Sequence, residues 1–267
     1  MWKFLTNAIS NTRYEARFPI AADRLVYAIG DVHGRVDLLE PLLEKILTDV
    51  LTHQSEHDDN RPAEVVVHGD VVDRGPDTRQ ALEFLAAIQD WPEITPIYLM
   101  GNHEQMLLEF LKDPLANKRW LRYGGYETLL SYNLDLRGDL FEDRTILRVA
   151  SDLSAAMGYH TDLLGKFVHS HLNGNLFFTH AGADPALPIE EQPTAALVWG
   201  VQSFMRQPRK DGFWVVHGHT VVEKPVVKDS RISIDTGAYL SGALTALKVF
   251  GSEVSFLRQT GSSSEDA

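Results

Sequence analysis

The chain has 267 residues, of which 44% are hydrophobic and 23% charged, and its formal net charge is -12. This composition is typical of a globular protein with one or two domains. The negative charge argues against a general nucleic-acid-binding or anionic-membrane surface. The absence of cysteine excludes a disulfide framework and thiolate metal sites.

Residues 1–24 are predicted to be an N-terminal extension. Apolar side chains such as Trp2, Phe4 and Leu5 are interrupted by polar ones, so the segment predicts neither a signal peptide nor a membrane span. No later stretch is long and apolar enough to cross a bilayer, and we therefore expect a cytoplasmic protein that does not associate with membranes or nucleic acid.

Three apolar runs in the first half each end at a glycine that is followed by polar side chains. Residues 25–29 lead into 30–34 (GDVHG), 65–68 lead into 69–75 (GDVVDRG), and 96–100 lead into 101–104 (GNHE). The runs predict buried strands, and the glycines predict sharp turns at the strand ends. An open α/β sheet places its chemistry at such ends.

Helices are predicted between these strands, over residues 36–51, 77–89 and 104–112, because apolar residues recur there at helical spacing. The β-α-β-α-β order predicts parallel strands joined by right-handed crossovers. Residues 52–62 are polar and predict a solvent loop, in which His53 and His57 are expected to be solvated rather than to form a metal pair.

Residues 115–175 are predicted to form a mostly helical cap beside the site. The stretch 120–130 (WLRYGGYETLL) belongs to it and is a candidate contributor to substrate selection. His169 and His171 resemble a ligand pair, but no turn glycine places them at a strand end, so we expect an ordinary exposed segment.

The remaining chain predicts mainly strands. Residues 176–179, 213–216 and 231–234 each run into a polar turn, namely 180–182 (HAG), 217–220 (HGHT) and 235–237 (DTG), and strands 244–250 and 254–258 follow. The short gaps favour antiparallel pairs. The tail, 260–267, is rich in Ser, Gly and acidic residues and predicts disorder. Residues 25–259 are therefore predicted to be one α/β domain with two facing sheets and outer helices.

Six side chains at these strand ends are candidate metal ligands: Asp31, His33, Asp70, Asn102, His180 and His219. Oxygen and nitrogen donors without sulfur suit manganese, iron or zinc better than magnesium or calcium alone. Six ligands exceed what one catalytic metal with an open position needs. The pattern thus predicts two divalent metals sharing a carboxylate, about 3.5–4 Å apart, with a bridging water as nucleophile.

The motifs GDVHG, GDVVDRG, GNHE, His180-Ala181-Gly182 and Gly218-His219-Thr220, in this order, resemble the phosphoprotein phosphatase family of calcineurin-like metallophosphoesterases. The bacterial and phage branch is the most similar, over residues 25–250. The resemblance implies a sandwich of two facing mixed β-sheets with outer helices and a dinuclear metal site at the strand ends.

The resemblance also implies a role for each site residue. Asp31 and His33 would bind one metal, Asp70 would bridge both, and Asn102, His180 and His219 would complete the second, with Mn²⁺ the expected ion in each. His103 would be the general acid, Asp73 would orient His103, and Arg74 would grip the phosphate. An alkoxide is a poor leaving group that needs a proton, and a guanidinium offers a planar fork for two phosphate oxygens.

One position departs from the family. A second phosphate-binding arginine is expected two residues after Trp199, where this chain has Val201. Arg206 and Arg209 are candidates to replace it, and Arg206 is the preferred one. Tyr239 resembles a tyrosine that family members place near the phosphate. Glu104 is expected to support the turn rather than the chemistry, and Asp235 to accept a bond from a ligand histidine.

Two enzymatic functions and one non-enzymatic function follow. The leading hypothesis is hydrolysis of phosphoserine or phosphothreonine in proteins, with small phosphoesters also accepted. The alternative is hydrolysis of dinucleoside polyphosphates such as diadenosine tetraphosphate on the same core. A binding module that has lost catalysis would lack a ligand or the acid, and none is missing here.

Overall fold

A computed structural model describes residues 18–140 and 142–261. The predictions for residues 1–17 and 262–267 lie outside this part of the chain. The strands of the described residues are β1 (Val26–Ile29), β2 (Ala63–Val67), β3 (Ile94–Tyr98), β4 (Ser170–Asn173), β5 (Leu176–Thr179), β6 (Trp214–His217), β7 (Val226–Lys228), β8 (Arg231–Ser233), β9 (Ala243–Phe250) and β10 (Glu253–Thr260).

The helices lie mainly in the crossovers and in the cap. They are α1 (Val36–His57), α2 (Thr78–Ala87), α3 (Asn102–Lys112), α4 (Gly125–Ser131), α5 (Asp143–Met157), α6 (Tyr159–Leu164), α7 (Thr194–Trp199) and α8 (Ala238–Ser241), with 3₁₀ turns at Ile88–Asp90, Lys118–Tyr123 and Ile189–Glu191. No helix in residues 18–140 or 142–261 is long and apolar enough to cross a membrane.

Two five-stranded mixed sheets form the body, in the orders β10-β9-β1-β2-β3 and β4-β5-β6-β8-β7. Strands β1, β2 and β3 are parallel, as predicted. The antiparallel prediction for the second half is confirmed for β9–β10, and β4, which was not predicted as a strand, is antiparallel to β5. The prediction is wrong for β5, β6 and β8, which are mutually parallel, because residues 180–213 and the β7 hairpin carry the chain back before each next strand begins.

The two sheets face each other, and the strand pattern shows why. Along β1, Tyr27 and Ile29 pack against the outer helices, whereas Val26 and Ala28 enter the layer between the sheets. Strand residues alternate between faces, so a continuous apolar run covers both. The layer between the sheets is completed from the second sheet by residues such as Phe178 and Val216. The predicted sandwich with outer helices is confirmed.

Helix α1 is longer than predicted, and the predicted solvent loop at 52–57 is wrong. His53 is only 5% exposed, its ring stacks on His57 with centroids 4.1 Å apart, and its edge meets Phe250 at 4.4 Å. His53 continues the buried stripe of Ile46 and Val50 at helical spacing. The contact of His53 with Phe250 of β9 stabilises this extension of the helix. Asp58, with φ 51°, then ends α1.

Two other boundaries differ from the predicted ones. Residues 170–173 of the predicted cap form β4 of the second sheet, and His171 lies 2.7 Å from the carboxylate of Glu64 in β2. His171 is therefore part of a contact between the sheets and not of an ordinary exposed segment, whereas His169 is exposed. Thr260, expected in the tail, is the last residue of β10.

Candidate metal centre and active site

The carboxyl ends of β1, β2, β5 and β6 and the start of α3 converge at one edge of the sandwich. Two groups of side chains result, one of His33, Asp70 and His103 and the other of Asp70, His180 and His219. Within each group the potential ligand atoms all lie within 4.8 Å of one another. Asp70 belongs to both groups, which is the position required of a shared carboxylate.

The distances around Asp70 are compatible with two adjacent cations. Its Oδ2 is 3.6 Å from His33 Nε2, and its Oδ1 is 3.4 Å from His180 Nε2. Asn102 Oδ1 lies 3.0 Å from His180 Nε2 and 2.9 Å from His219 Nδ1. The structure thus brings five of the six predicted ligands into direct proximity.

Asp31, the sixth, reaches this group from the end of β1. Its Oδ2 accepts the backbone N–H of His219 at 3.0 Å. Its Oδ1 is buried and has no hydrogen-bond partner among residues 18–140 and 142–261. Gly218 packs so closely against this oxygen that a Cβ would collide with it. A buried carboxylate oxygen without a donor is costly, and a metal ion would satisfy it.

The histidine tautomers give a second test of fit. His33 Nδ1 donates to the carbonyl of Val72 at 2.9 Å, and His180 Nδ1 donates to the carbonyl of His68 at 2.7 Å. When Nδ1 donates, the neutral form of the ring carries its lone pair on Nε2, and in both residues Nε2 lies beside the carboxylate of Asp70. Acceptors facing acceptors repel unless a cation lies between them, and such outer hydrogen bonds are typical of metal-bound histidines. The residues present fit a divalent metal site.

Burial and charge set the protonation of this cluster. Burial lowers the pKa of His33 to about 3 and that of His219 to about 4, so both rings are neutral, as metal ligands must be. Burial raises the pKa of Asp31 well above its usual value, and the charges of Asp235 and Asp70 raise it further. This crowding of acidic groups is relieved by bound cations.

The loop that carries Asp70 is held by Glu104. The Glu104 carboxylate accepts the backbone N–H groups of Asp70, Val71, Val72 and Gly101 at 2.7–3.1 Å. The predicted role of Glu104 in supporting the turn is confirmed. Its support is needed because Asp70, Asp73 and Arg74 of this loop adopt positive φ, from 46° to 72°, a conformation that costs energy in residues other than glycine and is concentrated at functional sites.

His103 and Asp73 form a buried pair beside the metal cluster. His103 Nδ1 is 2.7 Å from Asp73 Oδ2, and His103 Nε2 lies 4.0 Å from Asp70 Oδ2. Burial by itself lowers the pKa of His103, but the charges of Asp70 and Asp73 and the hydrogen bond to Asp73 outweigh it and raise the pKa above its usual value. The pair can hold a proton and release it at Nε2.

Arg74 and Tyr239 lie on the other side of His33. The Arg74 guanidinium is 4.6 Å from the centroid of the Tyr239 ring, and this ring meets His33 edge-on at 5.0 Å. A guanidinium over an aromatic face is stabilised by the ring quadrupole. Two of the three predicted substrate-binding residues, Arg74 and Tyr239, are thus adjacent to the cluster.

The region around Val201 separates the two candidate replacement arginines. Arg209 is buried, donates to the carbonyls of Asp184 and Leu187 at 2.8 and 2.9 Å, and pairs with Asp211, so its guanidinium is occupied by the fold. Arg206 is exposed in the turn after Phe204. Trp199 anchors this segment to α3 by donating to Gln105 at 3.0 Å. Arg206 as a phosphate ligand stays a prediction.

Two residues that touch Asp73 were not singled out from the sequence. Trp120 Nε1 donates to Asp73 Oδ2 at 2.8 Å, and Thr128 Oγ1 donates to Asp73 Oδ1 at 2.7 Å. The feature of the sequence that could have indicated them is a tryptophan and a threonine on either side of a Gly-Gly pair, within the stretch 120–130. The prediction for Asp235 is a hydrogen bond from a ligand histidine. In the described part of the chain, its carboxylate accepts the backbone N–H of Gly237.

Comparisons with known proteins agree with this geometry. The calcineurin-like phosphoesterase family matches residues 25–232. The asymmetrical bis(5'-nucleosyl)-tetraphosphatase PrpE of Halalkalibacterium halodurans is 28% identical over 240 residues, which cover 82% of this chain and 88% of that protein.

Solved structures show the same fold at lower identity. A crystal structure provisionally assigned as a diadenosine tetraphosphatase has a TM-score of 0.58 and 18% identity, over 90% of this chain and 99% of the other. A protein serine/threonine phosphatase from Saccharomyces cerevisiae has a TM-score of 0.52 and 14% identity, over 92% and 82%. With the family match spanning the strand-end motifs, this chain belongs to the calcineurin-like phosphoesterase family.

Proposed function

We propose that this chain hydrolyses dinucleoside polyphosphates, of the diadenosine tetraphosphate type, in a metal-dependent reaction. The observation that carries this proposal is the similarity to bis(5'-nucleosyl)-tetraphosphatases over 82% of the chain. The phosphate-binding residues support it. Val201 stands where the second family arginine is expected and Arg209 is occupied by the fold, so Arg74 is a guanidinium beside the cluster and Arg206 stays a candidate. A site that used Arg74 alone would suit an internal phosphate with one charge better than a terminal phosphate with two.

The proposed ligands are those of the strand-end cluster. Asp31 and His33 would hold one metal, Asn102, His180 and His219 the other, and Asp70 both, with Mn²⁺ as the proposed ion. When bound, the two ions would polarise the phosphoryl group and lower the pKa of the attacking water.

The remaining residues orient the substrate and supply a proton. Arg74 would hold non-bridging phosphate oxygens, with Tyr239 fixing the plane of the guanidinium. As the water oxygen forms the new P–O bond and the bond to the leaving group breaks, His103 Nε2 would give its proton to the departing oxygen. The charge of Asp70 and the hydrogen bond to Asp73 favour the protonated form of His103, and Asp73 also fixes the orientation of its ring.

Hydrolysis of phosphoserine or phosphothreonine in proteins is the second candidate. The raised pKa of His103 favours it, because an alkoxide leaving group needs a proton more than a nucleotide phosphate does.

Turnover of three substrates by the purified chain with Mn²⁺ tests the proposal: diadenosine tetraphosphate, a phosphoserine peptide and 4-nitrophenyl phosphate. We expect the highest kcat/KM for diadenosine tetraphosphate, with ATP and AMP as unequal products separated by anion exchange. A higher kcat/KM for the phosphopeptide would select the second candidate. No turnover of any substrate would indicate a binding module.

A further inference from the structure

The cap stretch 120–128 contacts the turn that carries Asp73 and Arg74. Trp120 and Thr128 both donate to the Asp73 carboxylate, at 2.8 and 2.7 Å. The backbone carbonyl of Gly124 accepts the N–H of Arg74 at 3.1 Å. The segment that the sequence suggested for substrate selection is thus hydrogen-bonded to Asp73 and Arg74.

Close approach of the backbone makes these contacts possible. Gly124 has φ 110°, and a Cβ on this residue would lie 2.5 Å from the backbone nitrogen of Arg74. A Cβ on Gly125 would enter the ring of Trp120. The Trp120 ring is fully buried and packs on Phe110 of α3, with centroids 4.7 Å apart. Since α3 also carries His103 in its first turn, the indole is fixed relative to both members of the acid pair.

The Asp73 carboxylate is fully buried and depends on its donors. Oδ2 accepts from His103 and Trp120, and Oδ1 accepts from Thr128. Charge-assisted bonds of this kind are the strong ones, and a buried carboxylate that loses a donor is destabilised as an anion. The two cap donors also prevent rotation about the Cβ–Cγ bond, which keeps Oδ2 directed at His103 Nδ1.

We propose that Trp120 and Thr128 are positioning residues of the reaction, which act through Asp73 to set proton donation by His103. The inference rests on the proposed function only in taking His103 as the general acid. It predicts that loss of either donor slows reactions with poor leaving groups and spares reactions whose leaving group needs no proton.

The variants Trp120→Phe and Thr128→Val remove one donor each while keeping most of the packing. Phenyl phosphate has a basic leaving group and dinitrophenyl phosphate an acidic one. We expect kcat for phenyl phosphate to fall about 10–100-fold, the usual cost of losing an outer-shell hydrogen bond, and kcat for dinitrophenyl phosphate to change less than about threefold, with KM and metal content unchanged. Thr128→Ser keeps the hydroxyl and should restore the rate.

Two matched controls separate this role from packing. Trp214→Phe removes another buried indole donor, which bonds the carbonyl of Phe18 at 3.1 Å far from the cluster. Ser131→Ala removes a hydroxyl of the same helix α4 that bonds the carbonyl of Thr128. Both should leave the leaving-group dependence as in the parent chain.

Equal losses on both aryl phosphates, or no loss on phenyl phosphate, would overturn the proposal. If Trp120→Phe fails to fold, the Thr128→Val and Thr128→Ser pair carries the test, and if Thr128→Val fails to fold, Trp120→Phe carries it. The aryl phosphates also separate the two proposals. A parent chain that hydrolyses them but not diadenosine tetraphosphate refutes the proposed substrate and leaves the test of Trp120 and Thr128 intact.

Discussion

At the scale of single residues, the site is a set of buried polar groups whose charges conflict until a cation joins them. Asp31 has a buried oxygen that accepts no hydrogen bond from the described part of the chain, and the Nε2 atoms of His33 and His180 lie beside the Asp70 carboxylate. His103 differs from them because its second nitrogen faces a carboxylate rather than a carbonyl. A carbonyl fixes a neutral tautomer, whereas a carboxylate favours the protonated ring.

His103→Asn should lower kcat about 10²–10⁴-fold, the usual contribution of acid catalysis, because asparagine has no ionisable proton to give. Metal content should stay intact. The loss should be larger for a phosphoserine peptide than for nitrophenyl phosphate. His169→Asn, an exposed histidine of the same chain, is the control. Equal losses on the two substrates would argue against the general-acid role.

Arg206→Ala tests the remaining candidate for a second phosphate-binding guanidinium. If Arg206 binds a phosphate, kcat/KM for diadenosine tetraphosphate should fall in Arg206→Ala. The expected loss of transition-state stabilisation is about 1.5–3 kcal/mol, the usual contribution of a hydrogen bond to a charged group. Lys210→Ala removes a neighbouring exposed charge and should have little effect. An unchanged kcat/KM for Arg206→Ala would contradict phosphate binding by Arg206 and leave Arg74 as the candidate phosphate-binding arginine.

At the scale of elements, strand β2 is bonded to strand β4 across the sandwich as well as carrying Asp70 at its end. Glu64 in β2 accepts from Asn173 of β4 at 2.8 Å and lies 2.7 Å from His171 Nε2. Burial raises the pKa of Glu64, but the bonds from His171 and Asn173 outweigh it, and the net pKa is lower than usual. A side-chain link between the sheets therefore depends on an ionised carboxylate.

Glu64→Gln should lower the free energy of unfolding at pH 7 by about 1.5–3 kcal/mol. A carboxyl whose pKa is lower in the folded state stabilises the fold above its unfolded pKa, near 4.5, and this contribution is lost as the pH falls through the folded pKa. The difference between parent and variant should therefore be full at pH 7 and shrink below about pH 4.5. Urea unfolding at both pH values measures it, with Glu253→Gln, an exposed site, as control. A difference that stays constant with pH would reject the ionised link.

At the scale of the whole molecule, the metal cluster joins the two sheets. His33, Asp70 and Asn102 follow strands of the first sheet, whereas His180 and His219 follow strands of the second. Bound cations would thus add to the contacts between the two sheets, which include an apolar layer, the Glu64 link and the hydrogen bond from His180 Nδ1 to the carbonyl of His68. Metal affinity is then part of the folding free energy.

Removal of metal by EDTA should lower the Tm. A ligand at 100 times its Kd stabilises by about 2.7 kcal/mol, which corresponds to roughly 5–10 °C for a domain of this size. Asp70→Asn should bind both metals less tightly and respond less to EDTA, whereas Asp162→Asn at an exposed site should respond as the parent chain does. If Asp70→Asn retained two metals and responded fully to EDTA, the proposal that Asp70 binds both metals would be contradicted.

The sequence alone predicted the strand-end motifs, because each depends on residues adjacent in the chain. A buried run followed by glycine predicts a strand and a turn, and the side chains after Gly30, Gly69 and Gly101 are then placed at one edge by the parallel order of β1, β2 and β3. The second sheet was less predictable, since short gaps do not show that β5, β6 and β8 run parallel.

What tertiary structure decided is the partner of each side chain whose chemistry depends on distant residues. Arg209 could bind phosphate by sequence, but the carbonyls of Asp184 and Leu187 take its donors. The polar neighbours of His53 in the sequence predict a solvated side chain, whereas in the fold its ring packs against Phe250. Trp120 reaches Asp73 across 47 residues. Local pattern reports periodicity and turns, whereas burial and hydrogen-bond partners depend on which segments the folded chain brings into contact.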